Sequence, residues 1–246
     1  LQNMETGHEY VVFVKPDEDR CVASSANMNV VELPATTYPY WEQVMLPGAA
    51  KKHGVDLLHC TSNTAPLSLV APLVVTLHDI IYLEKSKNAP KGATLYQKLG
   101  RLYRKWNVPR IVPKTSALIT VSGFEKKRIQ QHFGKNTDVE VVYNGISNAF
   151  FTPPDTAERA RVKAAYQLPE RFIFFLGNTD PKKNLPNVLK ATISILEQAD
   201  ASLHVVIADY ERERIRQLLN SYGKPELEKR FVLPGYMKNT DLPAVY

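Results

Sequence analysis

Nine short β-rich runs, separated by stretches of helical periodicity, constrain this chain more than any other feature. They fall at Tyr10–Val14, Asn29–Leu33, Asp56–Cys60, Leu73–Leu77, Ala117–Val121, Val139–Tyr143, Arg171–Leu176, Ser202–Ala208 and Arg230–Leu233. Several are apolar without interruption. A strand reads that way when helices cover both faces of its sheet, as they do in parallel sheets. Between the runs, Leu95, Leu99, Leu102, Tyr103 and Trp106 share one face of a helix over Thr94–Trp106. Ser122 and Glu125 match a capping box, and Asp155 with Glu158 is similar. Asn184 is placed to cap a helix running to about Gln198, with Pro186 tolerated in its first turn. Strands alternating with helices in this way predict an α/β architecture with mostly parallel sheets.

With 246 residues, 44% of them hydrophobic, the chain is long enough for one large domain or two small ones around a buried core. The best boundary is Asn144–Thr156, where Asn-Gly, two phenylalanines and Pro153-Pro154 lie between a strand and a capped helix. Fewer strands follow this boundary than precede it, so the second unit reads as incomplete. The only cysteines, Cys21 and Cys60, exclude a disulfide framework and favour a reducing compartment. No apolar run approaches the ~18 residues of a spanning helix; the longest, Leu69 to Leu77, already contains Pro72 and Thr76. The chain opens on Leu1, so the natural N-terminus is expected upstream, and the lack of a targeting signal excludes nothing.

Three constellations carry chemistry. The strand ending at Leu77 delivers His78 and Asp79 at its carboxyl end, where ligands collect in open α/β sheets. His78 can bond a hydroxyl or move a proton; the plainer reading is a residue that ends a strand and another that fixes a turn. The second constellation follows the strand at Phe174–Leu176. Gly177, Asn178, Lys182, Lys183 and Asn184 form a short basic turn into a helix, a place where phosphate meets free N–H groups and a point charge. An ordinary loop with solvated lysines is the alternative. The turn matches neither the nucleoside-triphosphatase phosphate loop nor a G-x-G-x-x-G fingerprint.

The third is a charge concentration. Lys85 to Lys114 holds nine Lys/Arg and no Asp or Glu, a local +9 in a chain of net +6. Lys98, Arg101, Arg104 and Lys105 stand beside the apolar stripe of their helix, a pattern that suits an anionic membrane, a lipid phosphate or a nucleic-acid backbone. A solvated face on a core-packed helix is the commoner outcome of such a run. Asp17-Glu18-Asp19 has the Asp-x-Asp spacing that can hold Mg²⁺ beside a diphosphate, but Pro16 and Arg20 make it read as a charged turn. The remaining histidines show no zinc spacing, and no Gly-x-Ser-x-Gly elbow is present.

Taken in order, these segments resemble the family 4 glycosyltransferases of the GT-B fold. Trp41-Glu42-Gln43 with Leu46-Pro47, then Leu57-Leu58-His59 with Asn63 and Pro66, look like the family's acceptor domain. Val75 through Asp79 looks like its His-Asp segment. Ala117 through Phe124 resembles its Val-Ser-x-Phe-Ser helix start, with Glu125 where Ser is usual. Val142 through Ile146 with Phe150 resembles the segment leading into the interdomain linker. Gly177 through Asn184 is similar to the donor-domain start, Gly-x-x-x-Pro-Arg-Lys-Asn, with Lys182 in place of Arg. Gly235-Tyr236 and Leu242 through Tyr246 look like the strand and helix beyond.

The resemblance implies a GT-B-like α/β fold of two Rossmann-like domains with mostly parallel sheets, the second incomplete. Residues 1–150 would be the N-terminal acceptor-side domain, lacking its first strand and Gly-rich loop. Residues 151–246 would be the first part of the nucleotide-sugar donor domain, ending before a Glu-x7-Glu motif. It implies a retaining glycosyltransferase, inactive as this fragment alone. Such an enzyme moves a sugar from a nucleotide-diphosphate donor to a glycan or lipid-linked acceptor in surface polysaccharide or glycoconjugate synthesis. The donor would bind between the halves, with Asn144–Thr156 as hinge. His78 would contact the transferred sugar or the acceptor hydroxyl, Asp79 would orient the turn or the His, and Gly177, Asn178, Lys182, Lys183 and Asn184 would hold the diphosphate. No catalytic metal, other cofactor or nucleic-acid partner is expected. The location expected is cytoplasmic, peripheral at the inner membrane face where Lys98, Arg101, Arg104 and Lys105 meet an acceptor or anionic lipid. The alternatives are a nucleotide-sugar epimerase or phosphorylase on the same fold, or a non-catalytic basic module that binds membrane or polyanion.

Overall fold

A computed structural model describes residues 7–16, 22–68, 70–84, 95–177 and 183–246. The chain divides into two compact units, Leu1–Asn144 and Gly145–Tyr246.

The first unit begins with β1 (Tyr10–Val14) and β2 (Met28–Glu32), a parallel pair with Tyr10 opposite Met28. A continuous helical stretch follows: α1 (Tyr38–Tyr40), a π-helical turn at Trp41–Met45, and α2 (Leu46–Lys52). Thr37 starts it, its hydroxyl accepting from the Tyr40 N–H. Then come β3 (Leu58–Cys60), β4 (Leu73–Leu77), α3 (Leu95–Ile111), β5 (Ala117–Thr120), α4 (Gly123–Phe133) and β6 (Glu140–Val141). The four strands form one sheet in the order β3-β4-β5-β6, every neighbour parallel. Leu73, Val75 and Leu77 of β4 are fully buried among Ala50 of α2, Val108 and Ile111 of α3 and Ile129 of α4.

The π turn carries a buried carboxylate. Glu42 accepts hydrogen bonds from the hydroxyls of Tyr38 (2.8 Å), Thr64 (2.6 Å) and Tyr103 (2.5 Å). Burial raises the pKa of both tyrosines, and the Glu42 charge beside them raises it further, so they remain protonated donors. The neighbouring Gln43 amide reaches Ala65 O (3.0 Å) and the Tyr103 hydroxyl (2.7 Å), while its oxygen accepts from Leu67 N (3.0 Å). Asn107 of α3 donates to Ala65 O at 2.8 Å and accepts from Ala65 N at 3.2 Å. A buried charge is tolerated when hydrogen bonds replace its water. Here that satisfaction ties the π turn, the segment after β3 and one side of α3 together.

The second unit holds α5 (Thr156–Tyr166), β7 (Arg171–Leu176), α6 (Leu185–Gln198), β8 (Leu203–Ala208), α7 (Arg212–Ser221) and β9 (Phe231–Val232). Its sheet runs β7-β8-β9, again parallel throughout. Strand β8 shows why such a strand reads as an unbroken apolar run. Val205 and Ile207 pack with Leu189 and Ile193 of α6 and with Ile215 and Leu219 of α7. Val206 and Ala208 face the opposite cluster of Val162, Leu168, Met237, Leu242 and Val245. Asp241, nearly inaccessible, anchors the last segment: it accepts from the Tyr166 hydroxyl (2.7 Å) and the Arg161 guanidinium (2.5 Å).

All nine expected strands are present and in α/β order, with differences of extent. The run at Val139–Tyr143 pairs only at Glu140–Val141, and the strands of the first unit form two sheets rather than one. Helix α3 does not stop at Trp106 but continues through Pro109 to Ile111. Pro109 offers no N–H to Lys105 O, but it lies in the last turn, where the Arg110 side chain also donates to Trp106 O at 2.6 Å. Helices α1, α2 and α7 are not evident from periodicity. In α7 the arginines and Glu213 outnumber its two buried anchors, Ile215 and Leu219.

Leu73→Ala should destabilise the first unit by about 3 kcal/mol, the usual scale for emptying a buried leucine site. Urea denaturation followed by tryptophan fluorescence reads this unit selectively, because Trp41 and Trp106 both belong to it. In the second unit, hydrogen bonds from Tyr166 and Arg161 hold the Asp241 carboxyl below its ordinary pKa. Its contribution is therefore present above the unfolded value near 3.9 and is lost as pH falls through the lower folded value. Melting temperatures measured by circular dichroism from neutral pH downward should fall more steeply below about pH 4 for the parent chain than for Asp241→Asn.

Candidate functional site

Two groups of residues lie at carboxyl ends of strands, one in each unit. In the first unit, β3 and β4 end side by side, and the chain leaves β3 through Thr61, Ser62 and Asn63. Asn63 takes a left-handed conformation (φ 68°), which Asn tolerates better than most residues. Its N–H donates to Thr76 O (3.1 Å) and its side-chain oxygen accepts from His78 N (2.6 Å). The His78 ring is exposed, with Nε2 2.8 Å from Thr61 O. A carbonyl can only accept, so Nε2 carries a proton, and in a neutral imidazole of that tautomer Nδ1 is the nitrogen that accepts from a hydroxyl. Asp79 serves the turn: its Oδ1 accepts from Ile81 N at 3.1 Å. The imidazole is thus held by Thr61 O and the His78 backbone by Asn63, while the Asp79 carboxylate engages the backbone beyond.

Beneath this turn Tyr82 is buried, and its pKa is raised by burial and then by the Asp79 charge, with Arg104 acting in the opposite sense. Glu125, where the resemblance has Ser, is also buried and pairs with Arg128, which reaches Glu84 at 2.6 Å. Ser122 still caps α4, accepting from Glu125 N at 3.1 Å.

In the second unit, β7 ends at Leu176 and Gly177 follows. A Cβ on Gly177 would stand 2.8 Å from Ile207 Cγ2 and 3.1 Å from Ala208 O, so the end of β8 admits only glycine without a shift. Asn178 and Lys182 lie outside the described residues. Lys183 is exposed directly before α6. Asn184 is the N-cap of α6 in a left-handed conformation (φ 55°), but its side-chain oxygen accepts from the Asn187 side chain (3.0 Å) rather than from a backbone N–H. Its carbonyl takes the Asn187 and Val188 N–H groups at 3.0 and 3.2 Å, and Pro186 has none to offer. The positive character at this end therefore rests mainly on the helix dipole and on Lys183. At the same sheet edge Asp209 follows β8 with φ 53°, its N–H bonded to Gly235 O at 2.8 Å.

Lys98, Arg101, Arg104 and Lys105 all lie on α3, apart from the His78 turn in sequence, with Arg101 half-buried and the others exposed. Asp17 and Asp19 lie outside the described residues. Glu42 and the bracing role of Asn63 are not legible as site features in the sequence. Apart from its place in the acceptor-domain resemblance, the signal for Asn63 is an Asn among small polar residues just after a strand, the composition of a tight turn.

Comparison with solved structures matches this architecture. Sucrose-phosphate synthase from Thermosynechococcus elongatus superposes with a TM-score of 0.62 at 15% identity, covering 96% of this chain and 62% of that one. WaaG, a glycosyltransferase involved in lipopolysaccharide biosynthesis, gives 0.63 at 14% identity, covering 96% and 64%. Anabaena HepE, solved in complex with UDP-glucose, gives 0.53 at 16% identity, covering 88% and 57%. The chain thus spans less than two thirds of each of these proteins, and at these identities the likeness establishes the GT-B fold. No curated protein sequence matches the chain. Residues 4–150 match the sequence model of Glycosyltransferase Family 4, which is more than half of the chain. With two parallel-sheet α/β units in the GT-B arrangement of strands and helices, this chain belongs to Glycosyltransferase Family 4.

Proposed function

We propose that the chain is a large part of a retaining glycosyltransferase. It would move a hexose from a nucleotide-diphosphate sugar to a glycan or lipid-linked acceptor, in surface polysaccharide or glycoconjugate synthesis. The observation that carries the donor reading is the end of β7, where Gly177 packs too closely on β8 for any side chain, together with Lys183 exposed at the head of α6. A diphosphate approaching this edge would meet no side chain at position 177. It would face a lysine ammonium and the positive end of a helix dipole. HepE, which shares the fold, was solved with UDP-glucose, and this supports a uridine or related nucleotide sugar as the donor class.

In the reaction, the bond from the sugar's anomeric carbon to the diphosphate oxygen breaks. A bond to the acceptor oxygen forms on the same face, and the acceptor proton passes to the departing diphosphate oxygen. Negative charge grows on the leaving diphosphate, so a fixed cation favours the transition state over the ground state. Lys183 performs that work, with Asn178 and Lys182, close to it in sequence, as further candidate donors. On the acceptor side, His78 presents Nδ1 as an acceptor for a sugar or acceptor hydroxyl, its other nitrogen being held by Thr61 O. Asp79 keeps the turn in shape through Ile81. No step requires a metal.

In the full-length enzyme, Lys183→Ala should lower kcat/KM for the nucleotide sugar by about 100-fold, roughly 3 kcal/mol of transition-state stabilisation, while Lys183→Arg retains part of it. Unchanged kinetics would remove Lys183 from the reaction. NMR of the fresh product should show the anomeric configuration of the donor sugar; the opposite configuration would refute a retaining mechanism.

A further inference from the structure

The loop of residues 61–64 meets His78 twice. Thr61 O lies 2.8 Å from Nε2 of the ring, and the Asn63 side chain accepts from His78 N at 2.6 Å. Asn63 also bonds the end of β4, its N–H donating to Thr76 O at 3.1 Å. It does so in a left-handed conformation (φ 68°), which a residue other than glycine adopts at a cost. Such a conformation persists where the surroundings over-determine it.

One source of that constraint lies at the next residue. Thr64 is buried; its hydroxyl donates to Glu42 Oε1 at 2.6 Å, and its N–H turns back to Ser62 O at 2.8 Å. Tyr38 of α1 donates to the same carboxylate oxygen, and Tyr103 of α3 donates to the other. Two helices thus locate the carboxylate, and the carboxylate locates the loop. Glu42 is only 1% exposed, so water does not compete for these bonds. A buried charge is weak ground for stability, because apolar side chains of similar volume often serve a core as well or better. What it supplies is direction: a hydroxyl bonded to a fixed carboxylate has one place to be, and packing alone does not impose one.

We propose that Glu42, acting through the Thr64 hydroxyl, is a positioning residue for His78. It sets the loop so that Thr61 O takes the Nε2 proton and Nδ1 is the nitrogen offered to a hydroxyl. Glu42 itself touches no reacting atom. The adjacent Asp79 does not perform this task, since its carboxylate bonds Ile81 N. The inference rests on the acceptor-side reading of His78 and deepens it, naming what holds the ring in its working tautomer. A misplacement of about 1 Å at a reacting group costs about 100-fold in rate, so a hydroxyl that sets the loop controls turnover without approaching the substrate.

The test compares Thr64→Val, which removes the hydroxyl and keeps the branched shape, with Thr64→Ser, which keeps the hydroxyl. In this chain, nitrogen-15 NMR of the His78 imidazole, assigned by its loss in His78→Ala, should show Nε2 protonated in the parent and in Thr64→Ser. Thr64→Val and Glu42→Gln should each give a mixture of tautomers. In the full-length enzyme Thr64→Val should lower kcat at least about tenfold with the KM for the nucleotide sugar unchanged, and Thr64→Ser should keep most of the parent rate. Added to His78→Ala, Thr64→Val should cost nothing further. Parent-like imidazole signals in Thr64→Val would overturn the proposal, as would a rate loss that multiplies with that of His78→Ala. A fully active His78→Ala enzyme would overturn the acceptor-side reading alone; the imidazole signals decide the positioning by Glu42 in either case.

Discussion

Parallel pairing is the constraint on which the rest of this molecule depends. Every ladder between named strands is parallel. A parallel pair cannot be closed by a tight turn, so each connection must cross over, and crossings such as α3, α4, α6 and α7 supply helices that cover the sheets. Within a sheet all carboxyl ends then lie along one edge. That is why Thr61, Asn63 and His78 meet in the first unit, and why Gly177 and Asp209 sit at one edge of the second. Neither group is assembled by special local chemistry. Both are consequences of strand direction, with glycine or left-handed backbone at Asn63, Gly177 and Asp209 where the chain turns away under crowding.

The Glu42 network adds an orientation that strand pairing leaves free. A helix packed over a sheet can rotate about its axis with little change in buried area if both of its faces are apolar, and α3 has apolar residues on both. The hydrogen bonds from Tyr103 and Asn107 remove that freedom. They send Val108 and Ile111 inward and the leucines outward. A carboxylate satisfied by three hydroxyls is a directional device, whereas apolar packing alone is not. The same tie reaches the segment after β3, so the basic helix and the turn that holds His78 are braced from one buried point.

The strands were legible because burial on both faces writes itself as unbroken apolar runs, as in β8, where alternate residues enter different clusters. The caps at Ser122 and Asp155 were legible for a local reason: each side chain accepts from an N–H three residues on. Other features depend on partners far along the chain. The apolar period of α3 pointed to a face but not to which way it turns, because Glu42 and Ala65 settle that from a distance. The short pairing of β6 could not be read from the apolar run around it, since the neighbouring strand decides where a ladder ends. His78 and Asp79 stood out by position, yet the sequence could not say that Thr61 O meets the imidazole and Asn63 the His78 backbone, while Asp79 bonds Ile81 N.

The proposed donor site rests on Gly177 at the end of β7 and Lys183 at the head of α6. The most direct measurement is an amide NMR titration of this chain with uridine diphosphate. The account predicts that the largest shifts fall at Gly177 and at Lys183 through Leu185, with no comparable response in α7 or at the Asp241 anchor. Shifts scattered over the surface, or confined to other basic residues while Gly177 and Lys183 stay unmoved, would contradict it.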